Sequence, residues 1–139
     1  MDYEYLEHTA DAEFVAYGAT LDEAFVNAAR ATYALIVDPC RVEPATCREV
    51  RLSSGSLDYL LYDWLAELLY LTEIEHLVFS QFEVRITGGE GDYSLEGRAC
   101  GEAIRPVHEV SLHIKAVTYH DLRVEKRNNR YEAQVLLDI

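Results

Sequence analysis

The spacing of apolar residues switches between two periods along this chain, and the switch limits the folds that it can adopt. Residues 21–36 and 57–69 carry apolar side chains three and four positions apart, as on one face of an α-helix. Phe82, Val84 and Ile86 instead alternate with polar residues, which is typical of a strand with one buried face. The pattern therefore predicts an α+β fold.

Capping signals predict where both helices begin. Thr20 and Glu23 match a capping box, and the first helical pattern runs from there to Asp38 and Pro39. Ser56 is a candidate N-cap for the second helix, after the break at residues 53–55. The apolar stripe of that second helix is wide, as expected for a helix that lies across a sheet.

Short apolar segments bounded by turn residues predict the strands. They lie at residues 3–7, 13–17, 47–53, 82–87, 93–99, 114–119, 122–126 and 131–137. The glycine-rich segment 88–91 opens no helix and is followed by no Lys, so it predicts a hairpin turn and not a phosphate loop. We expect a two-layer sandwich in which two helices pack on one face of a mixed or mostly antiparallel sheet. The length of 139 residues predicts a single domain over residues 1–139.

The charge of the chain limits its partners. A formal net charge of −13 argues against direct nucleic-acid binding, which depends on clustered Lys and Arg. Such an acidic chain suits a basic protein face or bound cations, although charge also simply maintains solubility. The sequence carries no apolar stretch of membrane-spanning length and no basic signal region, so we expect a cytoplasmic protein.

The cysteines give no metal-binding or disulfide pattern. Cys40, Cys47 and Cys100 include no Cys-x-x-Cys pair, so we expect three small, buried, reduced side chains. A bridge between Cys40 and Cys47 is the alternative, favoured in a hyperthermophile, where intracellular disulfides occur.

No catalytic motif is written in the sequence. Patterns for a Ser-His-Asp triad, a Cys-His pair, a Walker loop or a zinc-binding His pair on a helix are missing. We therefore expect no autonomous enzyme. A stand-alone metal-dependent hydrolase stays as an alternative, because clustered carboxylates and a Lys also serve phosphoryl chemistry.

The end of the last predicted strand carries an unusual group of charges. Alternation places Leu137 in the core and Asp138 outside it, next to the carboxylate of Ile139. Solvation is the simplest arrangement for these anions, and Asp11, read alone, is a turn-capping residue. If the sheet brings Asp11 to the same edge, three carboxylates converge, and their oxygens suit Ca²⁺, Mg²⁺ or Mn²⁺.

Four other polar residues are candidates for function. Lys115 interrupts an apolar run, where it is either a solvent-facing strand residue or a cation for carboxylates or a nucleotide phosphate. His108 and His120 are either ligands, proton carriers or hydrogen-bonded surface residues. Glu102 is the fourth, and each of them has an ordinary structural explanation.

Seven ordered segments resemble the archease family and together cover nearly the whole chain. They are His8-Thr9-Ala10-Asp11, Tyr17-Gly18, residues 20–25, residues 63–71, Gly101-Glu102 with His108, residues 115–120 and Leu137-Asp138-Ile139. The resemblance implies a protein cofactor of the RtcB-type tRNA-splicing RNA ligase, which promotes guanylylation of the ligase histidine and multiple turnover. It also implies, as the alternative, a chaperone-like modulator of an RNA-modifying enzyme such as a tRNA methyltransferase.

The resemblance further implies a divalent-metal site and its ligands. These are Asp11, Asp138 and Ile139, with Glu102, His108, Lys115 and His120 as neighbouring candidates. A chain that ends at Ile139 would use its own terminal carboxylate as a functional group.

Overall fold

The computed structural model describes residues 1–6 and 11–139. Within these residues the chain forms two α-helices, α1 (Leu21–Ile36) and α2 (Leu57–Glu75), and eight strands. The strands are β1 (Tyr3–Leu6), β2 (Asp11–Gly18), β3 (Thr46–Ser54), β4 (Leu77–Gly89), β5 (Asp92–Ala103), β6 (Ala116–Val117), β7 (Arg123–Arg127) and β8 (Arg130–Asp138). Short 3-10 helices lie at Pro39–Arg41 and Pro106–His108.

Both predicted helix starts are confirmed by their caps. The hydroxyl of Thr20 accepts a hydrogen bond from the Glu23 N–H at 3.2 Å, and the Glu23 carboxylate accepts one from the Ala19 N–H at 3.2 Å. At α2, the Ser56 hydroxyl accepts from the Tyr59 N–H at 3.2 Å. These bonds satisfy N–H groups that have no partner inside the helix. Among the described residues, neither α-helix is at once long and apolar enough to cross a bilayer.

The strands form two sheets, whereas the sequence predicted one. In the first sheet, β8 pairs with β2 on one side and with both β6 and β7 on the other, and β1 pairs with β2. In the second sheet, β5 lies between β3 and β4. Every one of these pairings is antiparallel, which confirms the α+β class and the antiparallel expectation. The prediction of a single sheet was wrong, because alternation identifies a strand but not the strand that pairs with it.

The helices join the two sheets around a common core. α1 packs on β2 and β8 of the first sheet and on β4 of the second, and α2 also contacts both sheets. The Trp64 indole N–H of α2 donates to the Phe25 carbonyl oxygen of α1 at 3.1 Å, so the two helices are tied inside the core. The first sheet contributes Phe14, Val135 and Leu137, among others, to this core.

Two further sequence predictions need correction. The predicted strand at residues 114–119 has regular pairing only at Ala116–Val117, although Lys115 and Thr118 also donate backbone hydrogen bonds to β8. The prediction of three buried, reduced cysteines is wrong. Cys47 and Cys100 form a disulfide, and Cys40 is free but exposed. The bridge joins residues directly opposite each other on β3 and β5, a pairing that cysteine spacing cannot show.

Candidate functional site

The pairing of β2 with β8 places Asp11 directly opposite Asp138. Opposite residues of an antiparallel pair have Cα atoms about 4.5–5.5 Å apart, so their side chains on one face are neighbours. Asp11 therefore begins a strand and is not only the turn residue that the sequence suggested. The first residues of the matching motif, His8, Thr9 and Ala10, lie outside the described residues.

β6 holds Asp138 from its other side. Ala116 pairs with Asp138, and the Lys115 N–H donates to the Asp138 carbonyl oxygen at 2.8 Å. Lys115 is exposed, and this bond places it at the same end of the sheet as Asp138. Ile139 follows at once and packs partly against the hydrophobic core.

A further carboxylate, that of Glu13, lies on the same face of β2 as Asp11 and was missed at the level of sequence. Alternation places it two residues after Asp11, opposite Leu136 of β8. Its side chain is only 7% exposed, and its Oε2 makes no hydrogen bond with any residue that the structure describes. The signal was available, because a strand that starts at Asp11 instead of Glu13 puts both acids on one face.

The carboxylate oxygens at this end of the sheet are chemically suited to a hard cation, although they do not form a complete coordination sphere. Opposed carboxylates repel each other, and a buried carboxylate oxygen without a donor is costly. Oxygen ligands of this kind are those that Ca²⁺, Mg²⁺ and Mn²⁺ prefer. Among the described residues, however, no three His, Cys, Asp or Glu side chains converge as a metal-binding group.

Glu102 and His108 form a separate cluster. The Glu102 carboxylate accepts hydrogen bonds from the Glu43 N–H at 2.6 Å and from the Arg105 guanidinium at 2.8 Å. The Glu43 N–H is the main cause that lowers the pKa of Glu102, which His108 and Arg105 lower further against the opposing effect of desolvation. The cluster thus holds an ionised carboxylate.

His108 is fully enclosed in that cluster. Its Nδ1 accepts from the Arg105 N–H at 2.8 Å, and its Nε2 lies 3.3 Å from a Glu102 carboxylate oxygen. With Nδ1 acting as an acceptor, the proton of a neutral ring is on Nε2, which makes no hydrogen bond with any described residue. The two residues therefore fix the 3-10 helix Pro106–His108 against the end of β5.

The structure does not bring all predicted residues to one point. No hydrogen bond or ion pair within the described residues joins Glu102 or His108 to Asp138. His120 lies on the surface beyond β6, with Nε2 3.5 Å from the Asp121 carboxylate. Asp11, Asp138, Ile139 and Lys115 lie at one end of the first sheet. Glu102 and His108 belong to the separate cluster, and His120 lies on the surface after β6.

Comparison with known proteins agrees with this architecture over the full chain. Residues 3–139 match the model of the Archease protein family (MTH1598/TM1083). A protein named Protein archease from Methanosarcina acetivorans is 50% identical over 139 residues, covering 99% of this chain and 95% of its own. Its namesake from Thermococcus kodakarensis is 43% identical over 139 residues, covering 99% and 98%.

Solved structures support the same assignment. The solution structure of protein 1598 from Methanobacterium thermoautotrophicum has a TM-score of 0.89 at 40% identity, with 99% of both chains covered. A Thermotoga maritima crystal structure, described as an archease and possible chaperone, has a TM-score of 0.59 at 18% identity, covers 96% of this chain and 94% of its own, and supports the fold alone. With its sequence matched from Tyr3 to Ile139, this chain belongs to the archease family.

Proposed function

We propose that this protein is an accessory activator of an RtcB-type tRNA-splicing RNA ligase, and that it uses a divalent cation held at the β2–β8 edge. Family membership supports the accessory role, and the opposition of Asp11 and Asp138 supports the cation. The protein would not ligate RNA itself. It would promote guanylylation of the ligase and allow repeated turnover.

Asp11, Asp138 and the carboxylate of Ile139 would hold the cation. Ca²⁺ fits this set, and Mg²⁺ or Mn²⁺ are the other hard cations that it would accept. The cation supplies positive charge that offsets the repulsion between opposed carboxylates. Glu13 Oε2, which has no hydrogen-bond partner among the described residues, adds negative potential beside the site.

Lys115 would act at the surface presented to the ligase. The hydrogen bond from its backbone N–H to the Asp138 carbonyl oxygen fixes the backbone at this position. A compact ammonium group at this position suits a nucleotide phosphate, which a ligase being guanylylated must bind. Glu102 and His108 would hold the 3-10 helix Pro106–His108 in shape, and His120 is a surface candidate for partner contact.

A ligation assay with limiting ligase tests this proposal. Added wild-type protein should allow many ligations per ligase molecule, whereas Asp138→Asn should lose most of that stimulation while keeping its fold. Asp92→Asn is a matched control, because it removes one exposed carboxylate at the start of β5. Full stimulation by folded Asp138→Asn would rule out the metal-site account.

The second candidate function is chaperone-like modulation of an RNA-modifying enzyme such as a tRNA methyltransferase. The description of the Thermotoga maritima protein as a possible chaperone favours it, as do exposed apolar residues such as Tyr70 and Ile74. It needs no metal site. Stimulation of a methyltransferase that survives the double change Asp11→Asn and Asp138→Asn, with no effect on ligation, would favour this function.

A further inference from the structure

A mostly apolar groove lies beside the first sheet, between the second half of α2 and residues 110–117. Its volume is ≈ 460 Å³. Ala66 and Leu69 line it from the helix, and Leu112 and Val117 line it from the opposite wall. A groove of this size accommodates the side chains of a peptide or a small ligand.

Large apolar side chains extend from this groove onto the surface. Tyr70 is 55% exposed and Ile74 is 58% exposed, one helical turn apart on α2. Ile104 and Val110 are also exposed and line the groove. Contiguous exposed apolar residues around a concavity are typical of an interaction surface.

Three tyrosines continue the groove toward the start of α2. The rings of Tyr62 and Tyr119 are stacked, with centroids 4.2 Å apart, and Tyr59 meets the Tyr119 ring edge-on at 5.6 Å. Tyr62 belongs to this tyrosine cluster and also lines the groove. One face of Tyr119 is covered by Tyr62, but Tyr59 and Tyr119 are both more than half exposed, so the uncovered ring surface is open to a cation such as a guanidinium group.

The charge of α2 indicates what could bind there. The helix carries five acidic residues and neither Lys nor Arg. Asp58 accepts from the Val124 N–H, and Glu75 pairs with Arg48. Asp63, Glu67 and Glu73 form no ion pair with any residue in the described part of the chain, and Lys115 is the one Lys or Arg among the residues lining the groove.

We propose that the groove and the tyrosine cluster together bind a basic amphipathic helix of another protein. Its apolar face would enter the groove, and an Arg on its flank would lie on the tyrosine rings near Asp63. Nucleic acid, an anionic membrane and a second copy of this chain are all disfavoured by the net charge of −13. The proposal does not depend on a ligase or on a bound metal.

The position of the groove gives such docking a consequence. Lys115, Ala116 and Val117 line it, and the same three residues contact the end of β8 through a hydrogen bond and the β6–β8 pairing. A helix bound in the groove is therefore held one strand away from Asp138. Docking at this surface would place the partner beside the carboxylate edge.

A defined peptide tests the proposal without any natural partner. The probe is a synthetic helix of roughly 18 residues, about five turns, with Leu on one face and Arg on both flanks. A second peptide of the same composition has its Leu stripe scrambled. Fluorescence anisotropy should show at least about tenfold tighter binding of the first peptide, because only its apolar face matches the groove. Equal binding of both peptides would overturn the groove as the site.

Two variants separate the groove from the general acidity of the chain. The triple change Asp63→Asn, Glu67→Gln and Glu73→Gln should weaken binding about tenfold, and Tyr119→Ala, at an exposed position, should weaken it about fivefold. The control Glu83→Gln, Glu90→Gln and Asp92→Asn removes equal charge from the β4–β5 hairpin and should change binding less than about twofold.

Two outcomes would contradict the proposal. An equal loss in the control variant would mean that only bulk charge attracts the peptide. Sedimentation would reveal the other occupant: a concentration-dependent dimer that Tyr119→Ala dissociates would assign the surface to a second copy of this chain.

Discussion

Asp11 and Asp138 lie directly opposite each other on adjacent antiparallel strands, although they stand at opposite ends of the sequence. Like charges in this position destabilise a strand pair, so the edge is a place where a cation would stabilise the fold. The Lys115 N–H donates a backbone hydrogen bond to the Asp138 carbonyl oxygen, so Lys115 lies at the same end of the sheet.

Thermal unfolding tests the effect of cation removal at this edge. The wild-type melting temperature should rise with Ca²⁺ and fall with EGTA. The corresponding gain in the free energy of unfolding reaches about 2.7 kcal/mol at a Ca²⁺ concentration a hundredfold above the dissociation constant. Asp138→Asn should lose that response. Without cation, it should match or exceed the wild-type stability by about 0.2–1 kcal/mol, because one of two opposed charges is gone. Asp92→Asn should keep the full Ca²⁺ response, and an unchanged response in Asp138→Asn would contradict the site.

The disulfide between Cys47 and Cys100 should contribute strongly to stability. It spans 53 residues, for which the chain-entropy model gives about 4 kcal/mol. Urea unfolding of the double change Cys47→Ser and Cys100→Ser should therefore show a loss of about 2–4 kcal/mol. Reduction of the wild type should reproduce that loss, whereas Cys40→Ser, at an exposed thiol, should stay within about 0.5 kcal/mol. A double variant as stable as the wild type would show that the bridge is dispensable.

Gly97 should tolerate no larger side chain. A Cβ atom there would lie 2.5 Å from the buried Trp64 ring, so one of the two must move. Gly97→Ala should cost about 1–3 kcal/mol and shift the fluorescence of the single Trp. Gly89→Ala is the control, because a Cβ atom at that position meets nothing within 4 Å. Equal stability of the two variants would contradict the tight packing of β5 against α2.

Glu102 should make stability depend on acid pH. Its pKa is lowered in the folded state, chiefly by the Glu43 N–H, so its stabilising contribution is full above the unfolded-state pKa of about 4.3. That contribution is lost as the pH falls through the lowered folded-state pKa. In urea unfolding, Glu102→Gln should be less stable than the wild type at neutral pH, and the difference should shrink in acid. The exposed Glu83→Gln should show no such convergence, and a constant difference at all pH values would contradict the hydrogen-bonded carboxylate.

Local patterns in the sequence determined the helices, most of the strands and the alternation at the end of β8. Thr20 and Ser56 cap the helices as predicted, because a cap depends on residues three positions apart. Ala133, Val135 and Leu137 are fully buried as alternation requires. The family resemblance was also readable from ordered motifs, and the comparisons confirmed it.

Only the tertiary structure decided which distant residues meet. The opposition of Asp11 to Asp138, the bridge from Cys47 to Cys100 and the burial of Glu13 all depend on strand pairing. The division into two sheets and the groove beside α2 depend on it as well. The alternation of apolar residues in a strand predicts which face is buried. It does not predict which strand lies beside it, because strand pairing depends on the packing of the whole core.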